Sequence, residues 1–265
     1  MTTPDTLPPV DGVLVDLTDG VLSVTINRPD SLNSVTLEVL DGIAEVMEAA
    51  ARDPRVKVVR LGGAGRGFSS GAGIGPDDVA DGVPTDIIVA ANRAVRAITA
   101  LPRPVVAVVQ GPAAGVGVSL ALACDLVLAS EKAFFMLAFT KIGLMPDGGA
   151  SALVAAAIGR IRALRMALLA ERLPAADALD WGLISAVYPA DRFDAEVDAV
   201  VDGLKSGAAV AFAKTKHAIN TATLTELDPT LDREYVGQSQ LLAANDFREG
   251  ITAFQERRDP AFTDS

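Results

Sequence analysis

The chain has one cysteine, one histidine and one tryptophan among 265 residues. A single cysteine, Cys124, excludes an internal disulfide, and its apolar surroundings from Val118 onward read as core. One cysteine and one histidine also exclude the usual metal-binding spacings. His217 lies in Lys214-Thr215-Lys216-His217 and reads as a solvated surface side chain, which leaves no histidine to activate a nucleophile. No apolar run reaches the roughly 18 residues of a membrane span. Met1 to Asp11 has no basic stretch followed by an apolar one, so a secretory leader is not expected there. Positive charge is scarce as well: 23 Lys and Arg stand against 34 Asp and Glu, a net charge of −11. That balance argues against nucleic acid or an anionic membrane as partner. A cytoplasmic protein is the expectation.

Apolar residues make up 50% of the chain, enough for a sizeable core, and the length suits one domain with a helical extension. Val13 to Leu17 and Val21 to Ile26 read as a hairpin around Asp19-Gly20. Leu37 to Ala51 has helical spacing behind Thr36 as N-cap. Val58 to Leu61, Val105 to Val109 and Leu126 to Leu128 read as strands, and Ile87 to Leu101 as a helix. Pro76 to Thr85 is polar and punctuated by Gly and Pro, so a mobile loop is expected, carrying the acidic cluster Asp77, Asp78 and Asp81. This alternation predicts an α/β fold with parallel pairing. Beyond Gly148 strands largely stop and helices are expected over 152–158, 161–169, 175–181, 193–205, 209–223, 231–244 and 247–258.

Two glycine-marked segments stand out. Phe68-Ser69-Ser70-Gly71-Ala72-Gly73-Ile74 and Gly111-Pro112-Ala113-Ala114-Gly115-Val116-Gly117-Val118-Ser119 each follow a β-branched run. Neither continues into the Gly-Lys-Ser/Thr of a phosphate loop. Small residues let a ligand approach the main chain, and two such turns can aim two N–H groups at one developing oxyanion. A purely structural use, tight turns and close packing, is the other reading.

At these residues the chain resembles the enoyl-CoA hydratase/isomerase (crotonase) superfamily. Ile26-Asn27-Arg28-Pro29-Asp30-Ser31-Leu32-Asn33 and Ile142-Gly143-Leu144-Met145-Pro146-Asp147-Gly148-Gly149 also match, and the likeness runs from about Val13 to Phe262. The resemblance implies a spiral core of ββα turns over 12–205 and a C-terminal helical trimerisation region over 206–265. It implies a homotrimer or a dimer of trimers acting on an acyl-CoA thioester, with no metal or redox cofactor. By motif position the oxyanion donors are the backbone N–H groups of Ala72 and Val116. Coenzyme A and acyl contacts fall to Arg28, Ser31, Leu32, Ser70, Gly71, Ile74, Gly115, Ser119, Met136 and Phe139. Arg257 and Arg258 are further candidate cations for the phosphates, with ordinary solvated charge as the alternative. Trp181 matches a packing segment.

Two positions depart from hydratase chemistry. Where relatives carry two glutamates, this chain has Ser119 and Phe139, and the aspartate usual after the first loop's alanine is Gly73. Asp147 remains. The resemblance implies a single-carboxylate acid/base there, suited to moving an enoyl-CoA double bond, and apolar Leu137, Phe139 and Met145 would raise its pKa. Pro-Asp-Gly-Gly is also turn chemistry, and Asp147 can cap the helix that starts near Gly149. A hydratase with another second group, and an acyl-CoA-binding protein without turnover, stay open.

Overall fold

The structure, a computed structural model, describes residues 10–73 and 85–264. Ile74, residues 76–84 of the expected loop and its acidic cluster lie outside the described residues. The six-stranded sheet has the order β1 (Val13–Thr18), β2 (Val21–Ile26), β3 (Val58–Gly63), β4 (Val105–Val109), β6 (Leu126–Ser130), β9 (Ala186–Tyr188). Only β1 and β2 are antiparallel; every later neighbour is parallel. Asp19 and Gly20 both have positive φ, the twist-compatible turn that a two-residue hairpin favours.

Period-two alternation in the strands divides the core between the two faces of this sheet. Val58, Val106, Val108 and Leu128 pack with Phe193, Val197 and Val201 of a helix over Phe193–Lys205. Val59, Leu61, Val105, Ala107, Val109, Val127 and Ala129 face the main core. There they meet α1 (Leu37–Ala50), α2 (Asp86–Ala100) and α3 (Val116–Ala123). All five residues of β4 are buried, as a central parallel strand covered on both faces requires. Thr36 caps α1 as expected, accepting the Val39 N–H.

A smaller sheet joins β5 (Pro112–Ala114), β7 (Phe134–Met136) and β8 (Leu173–Pro174). Three of the strands absent from the sequence reading, β5, β7 and β9, have three residues each. That is too short for a periodicity to register. The C-terminal part is helical: α4 (Ala150–Leu169), α5 (Ala175–Trp181), α6 (Phe193–Lys205), α7 (Ala209–Thr223), α8 (Leu227–Leu242) and α9 (Asn245–Glu256). α4 breaks at Gly159, where the two expected helices were divided. α8 starts four residues before the expected Leu231. Pro229 sits in the first turn, where its missing N–H would have no helical partner anyway. Leu227 and Leu231 of α8 and Phe247 and Ile251 of α9 belong to the same core as the sheet. Among the described residues, no helix is long and apolar enough to cross a membrane.

Candidate active site

Parallel pairing of β3 and β4, with Gly62 opposite Val108, makes the two glycine segments leave the sheet side by side at the carboxyl ends of the strands. They then zip together. Phe68 and Ser69 donate to Pro112 O, and Ala114 N donates to Ser69 O at 2.8 Å. Gly71, at φ +93°, lies so close that a Cβ there would be 2.9 Å from Ala114 O. The segment 28–34 is laced to the first loop. The Asn33 amide donates to Ala64 O and Gly67 O, Ser69 Oγ donates to Asn33 O, and Ser70 Oγ donates to Ser31 O. Ser70 N donates to Leu32 O. Arg28, Ser31, Leu32, Ser70 and Gly71 are therefore neighbours, although nearly 40 residues separate the segments.

Gly71 O accepts from Val35 N, and Gly73 N donates to Val35 O. Strand alternation turns the intervening Ala72 N–H the other way; Ala72 is exposed and its N–H donates to nothing among the described residues. Val116 is the first residue of α3, where N–H groups have no intrahelical acceptor and carry partial positive charge. Gly115 N is engaged with Met136 O at 3.0 Å, and Phe139 lies beside Gly115. Gly115, Met136 and Phe139 thus share one wall.

Asp147, in the turn before α4, meets the first turns of α3. Gly148, at φ +61°, presses on the first turn of α3: a Cβ there would be 3.1 Å from Val116 Cγ2 and 3.3 Å from Ser119 Oγ. Ser119 is buried and donates its hydroxyl to Asp147 O at 2.8 Å. Asp147 itself is partly exposed. Burial pushes its carboxyl up to about 7, opposed by a hydrogen bond from Gln238 and assisted by the negative charge of Glu234. Its carboxylate does not cap α4. Glu234 does so from α8, accepting Gly149 N at 2.6 Å and Ser151 N at 2.8 Å. The expectation of an Asp147 cap is corrected accordingly: a carboxylate from another helix occupies those donors.

Glu234 and Gln238 escaped the sequence reading. They belong to the buried stripe of α8, Leu227, Thr230, Leu231, Glu234 and Gln238, and polar residues at core spacing were the available signal. Elsewhere, Arg258 is paired with Glu249 and Glu256. Arg28 keeps its Nε buried with no partner among the described residues. His217 is exposed, and Trp181 is flanked by Arg162 and Arg165.

The enoyl-CoA hydratase/isomerase family model matches residues 16–265. The chain is 36% identical to 1,2-epoxyphenylacetyl-CoA isomerase of Escherichia coli (strain K12), over 95% of this chain and 98% of that protein. It is also 36% identical to a probable enoyl-CoA hydratase of Rhodobacter capsulatus, over 94% and 96%. A crystal structure of an enoyl-CoA hydratase from Mycobacterium avium subsp. paratuberculosis K-10 superposes with a TM-score of 0.91 at 73% identity, covering 97% of this chain and 100% of that one. The chain belongs to the enoyl-CoA hydratase/isomerase family, and its α/β architecture is that family's fold.

Proposed function

We propose that this protein isomerises the double bond of an enoyl-CoA thioester by proton transfer. Asp147 is the acid/base, and the N–H groups of Ala72 and Val116 hold the thioester oxygen as it becomes an enolate. The carboxylate takes a proton from one carbon of the acyl chain, the electron pair delocalises onto the thioester oxygen, and the proton returns to a second carbon. One carboxylate closes this cycle, with no metal or redox cofactor.

The observation that carries the reading is the state of the two positions that the resemblance assigns to glutamates. The Ser119 hydroxyl is spent on Asp147 O, and Phe139 is apolar. Glu234, whose charge bears on Asp147, has both oxygens on backbone N–H groups. A carboxyl near 7 is half ionised at neutral pH, which suits a group that must both take and return a proton. Each oxyanion donor is worth about 3–4 kcal/mol, or roughly 10²–10³ in rate.

Arg28 with Ser31, Leu32, Ser70, Gly71 and Ile74 would receive coenzyme A, and Gly115, Ser119, Met136 and Phe139 would border the acyl chain. Self-association as a trimer or a dimer of trimers has support in Ile161 and Phe254, each 75% exposed on the helical part.

Water addition is the second reading, favoured by the 73%-identical chain whose structure is that of an enoyl-CoA hydratase. Solvent deuterium incorporation into 2-enoyl and 3-enoyl-CoA thioesters, read by mass spectrometry after separating isomers, distinguishes the two. Exchange and double-bond migration that disappear in Asp147→Asn are expected. Water addition without migration in the wild type, or migration that survives in Asp147→Asn, would overturn the proposal.

A further inference from the structure

Gln238 has no part in the chemistry above, yet it touches the acid/base directly. It is 1% exposed, on the buried face of α8. Its Nε2 donates to Asp147 Oδ2 at 2.9 Å and its Oε1 accepts Met145 N at 3.1 Å. The backbone N–H of Met145 can only donate, so it fixes the amide with Oε1 towards Met145 and Nε2 towards Asp147.

We propose that Gln238 is a positioning residue that divides the Asp147 carboxyl into a held oxygen, Oδ2, and a working oxygen, Oδ1. This assignment rests on the proton-transfer reading of Asp147. A carboxylate without such a partner can rotate and present either oxygen. Here rotation would break the bond to Nε2, while Ser119 Oγ and Ala150 N hold the Asp147 main chain through its carbonyl. A protonated Oδ2 would be a hydroxyl oxygen, a weaker acceptor for the amide N–H than the unprotonated oxygen, so this hydrogen bond favours the proton taken from the substrate on Oδ1. The C–H bond that breaks and the one that forms then exchange their proton with the same atom. Both carbons must come within reach of Oδ1.

The charged surroundings are simple. α8 brings Glu234, whose charge opposes ionisation of Asp147; Arg233, the preceding residue, is turned to Glu226 and Thr230. α3 brings Val116 and Ser119, neither of which is charged, and Lys141 on the turn Phe139–Ile142 is exposed.

Two variants test the assignment. Gln238→Met keeps the volume and removes the donor. Gln238→Glu keeps the length and the acceptor for Met145 N but replaces the donor with a second acid. Carboxyl ¹³C NMR of the substrate-free protein, with Asp147→Asn to identify the signal, follows the Asp147 titration without any turnover. The titration, near 7 in the wild type, is expected to move upward in both variants: a donor that favours the ionised form is lost in each, and Gln238→Glu adds negative charge. In the deuterium assay kcat, read on the pH plateau of each variant so that the shifted titration does not contribute, should fall by about 10–100-fold with KM nearly unchanged. A folded variant whose Asp147 titration stays in place overturns the proposal, whatever its rate. If Gln238→Met does not fold, Gln238→Glu decides alone. Exchange that survives in Asp147→Asn overturns the reading of Asp147 itself, a result separable from a failure confined to the Gln238 variants.

Discussion

Gly71→Ala probes the joint between the two glycine segments. Gly71 has φ +93°, a left-handed conformation that costs an L-residue roughly 1–2 kcal/mol. The new Cβ would also stand 2.9 Å from Ala114 O and 3.3 Å from Gly115 Cα, against ordinary contact from 3.4 Å. Both obstacles are backbone atoms, so no side-chain rotation relieves them. The segments have to part by about half an ångström at the point between Ala72 and Val116. That displacement is about the tolerance of a preorganised site. If the two N–H groups act on one oxyanion, kcat/KM should fall by roughly 10²–10³, the loss of one donor or about 3–4 kcal/mol. Folding should lose only about 1–3 kcal/mol. Gly73→Ala is the comparison: its Cβ meets the Ser34 hydroxyl at 3.2 Å, a small group that can shift, and φ there is not positive. It should stay within about threefold of wild type, as for an ordinary surface change of about 0.5 kcal/mol. The assay is kcat/KM for deuterium exchange, with thermal unfolding to verify the fold. A folded Gly71→Ala protein with wild-type kcat/KM would refute the idea that the two loops act as a unit.

Two further outcomes follow from the electrostatics. Asp147 titrates near 7 in the folded chain against an ordinary 3.8, so its favourable share of stability is complete below 3.8 and is lost as pH rises through 7. Asp147→Asn does not titrate; its advantage over wild type should grow by at most about 3 kcal/mol between pH 5 and 8, roughly 1.4 kcal/mol for each of the two units from 5 to 7. Denaturant unfolding at the two pH values checks this, and parallel pH dependence in the two proteins would contradict it. Glu234→Gln removes the charge that opposes ionisation of Asp147, so the acid limb of the pH–rate profile should move to lower pH. The same change weakens two charge-assisted bonds at the start of α4, costing about 1.5–3 kcal/mol in an unfolding measurement. A limb that does not move would disprove the coupling.

Local chemistry in the sequence determined a good deal. The Asp19-Gly20 hairpin, the Thr36 cap and the β4 strand stand where propensity and periodicity put them, and so do the helices beyond Gly148 apart from the early start of α8 and the joining of two expected helices across Gly159. So do the two glycine segments, because only residues without bulk can follow a parallel strand into so close a contact. Short strands such as β9 were not legible, since three residues carry no period and exist only because β6 offers an edge.

The immediate surroundings of Asp147 were decided by tertiary structure alone. Gln238 and Glu234 lie 91 and 85 positions from Asp147 and Gly149, and no local pattern links them. Packing of α8 through Leu227 and Leu231 delivers both side chains to the turn before α4. The sequence marked a carboxylate in an apolar loop. It could not say which oxygen of that carboxylate is held, which acid raises its pKa, or that Ser119 is spent on its carbonyl, because each depends on atoms that only the folded core brings within hydrogen-bond distance.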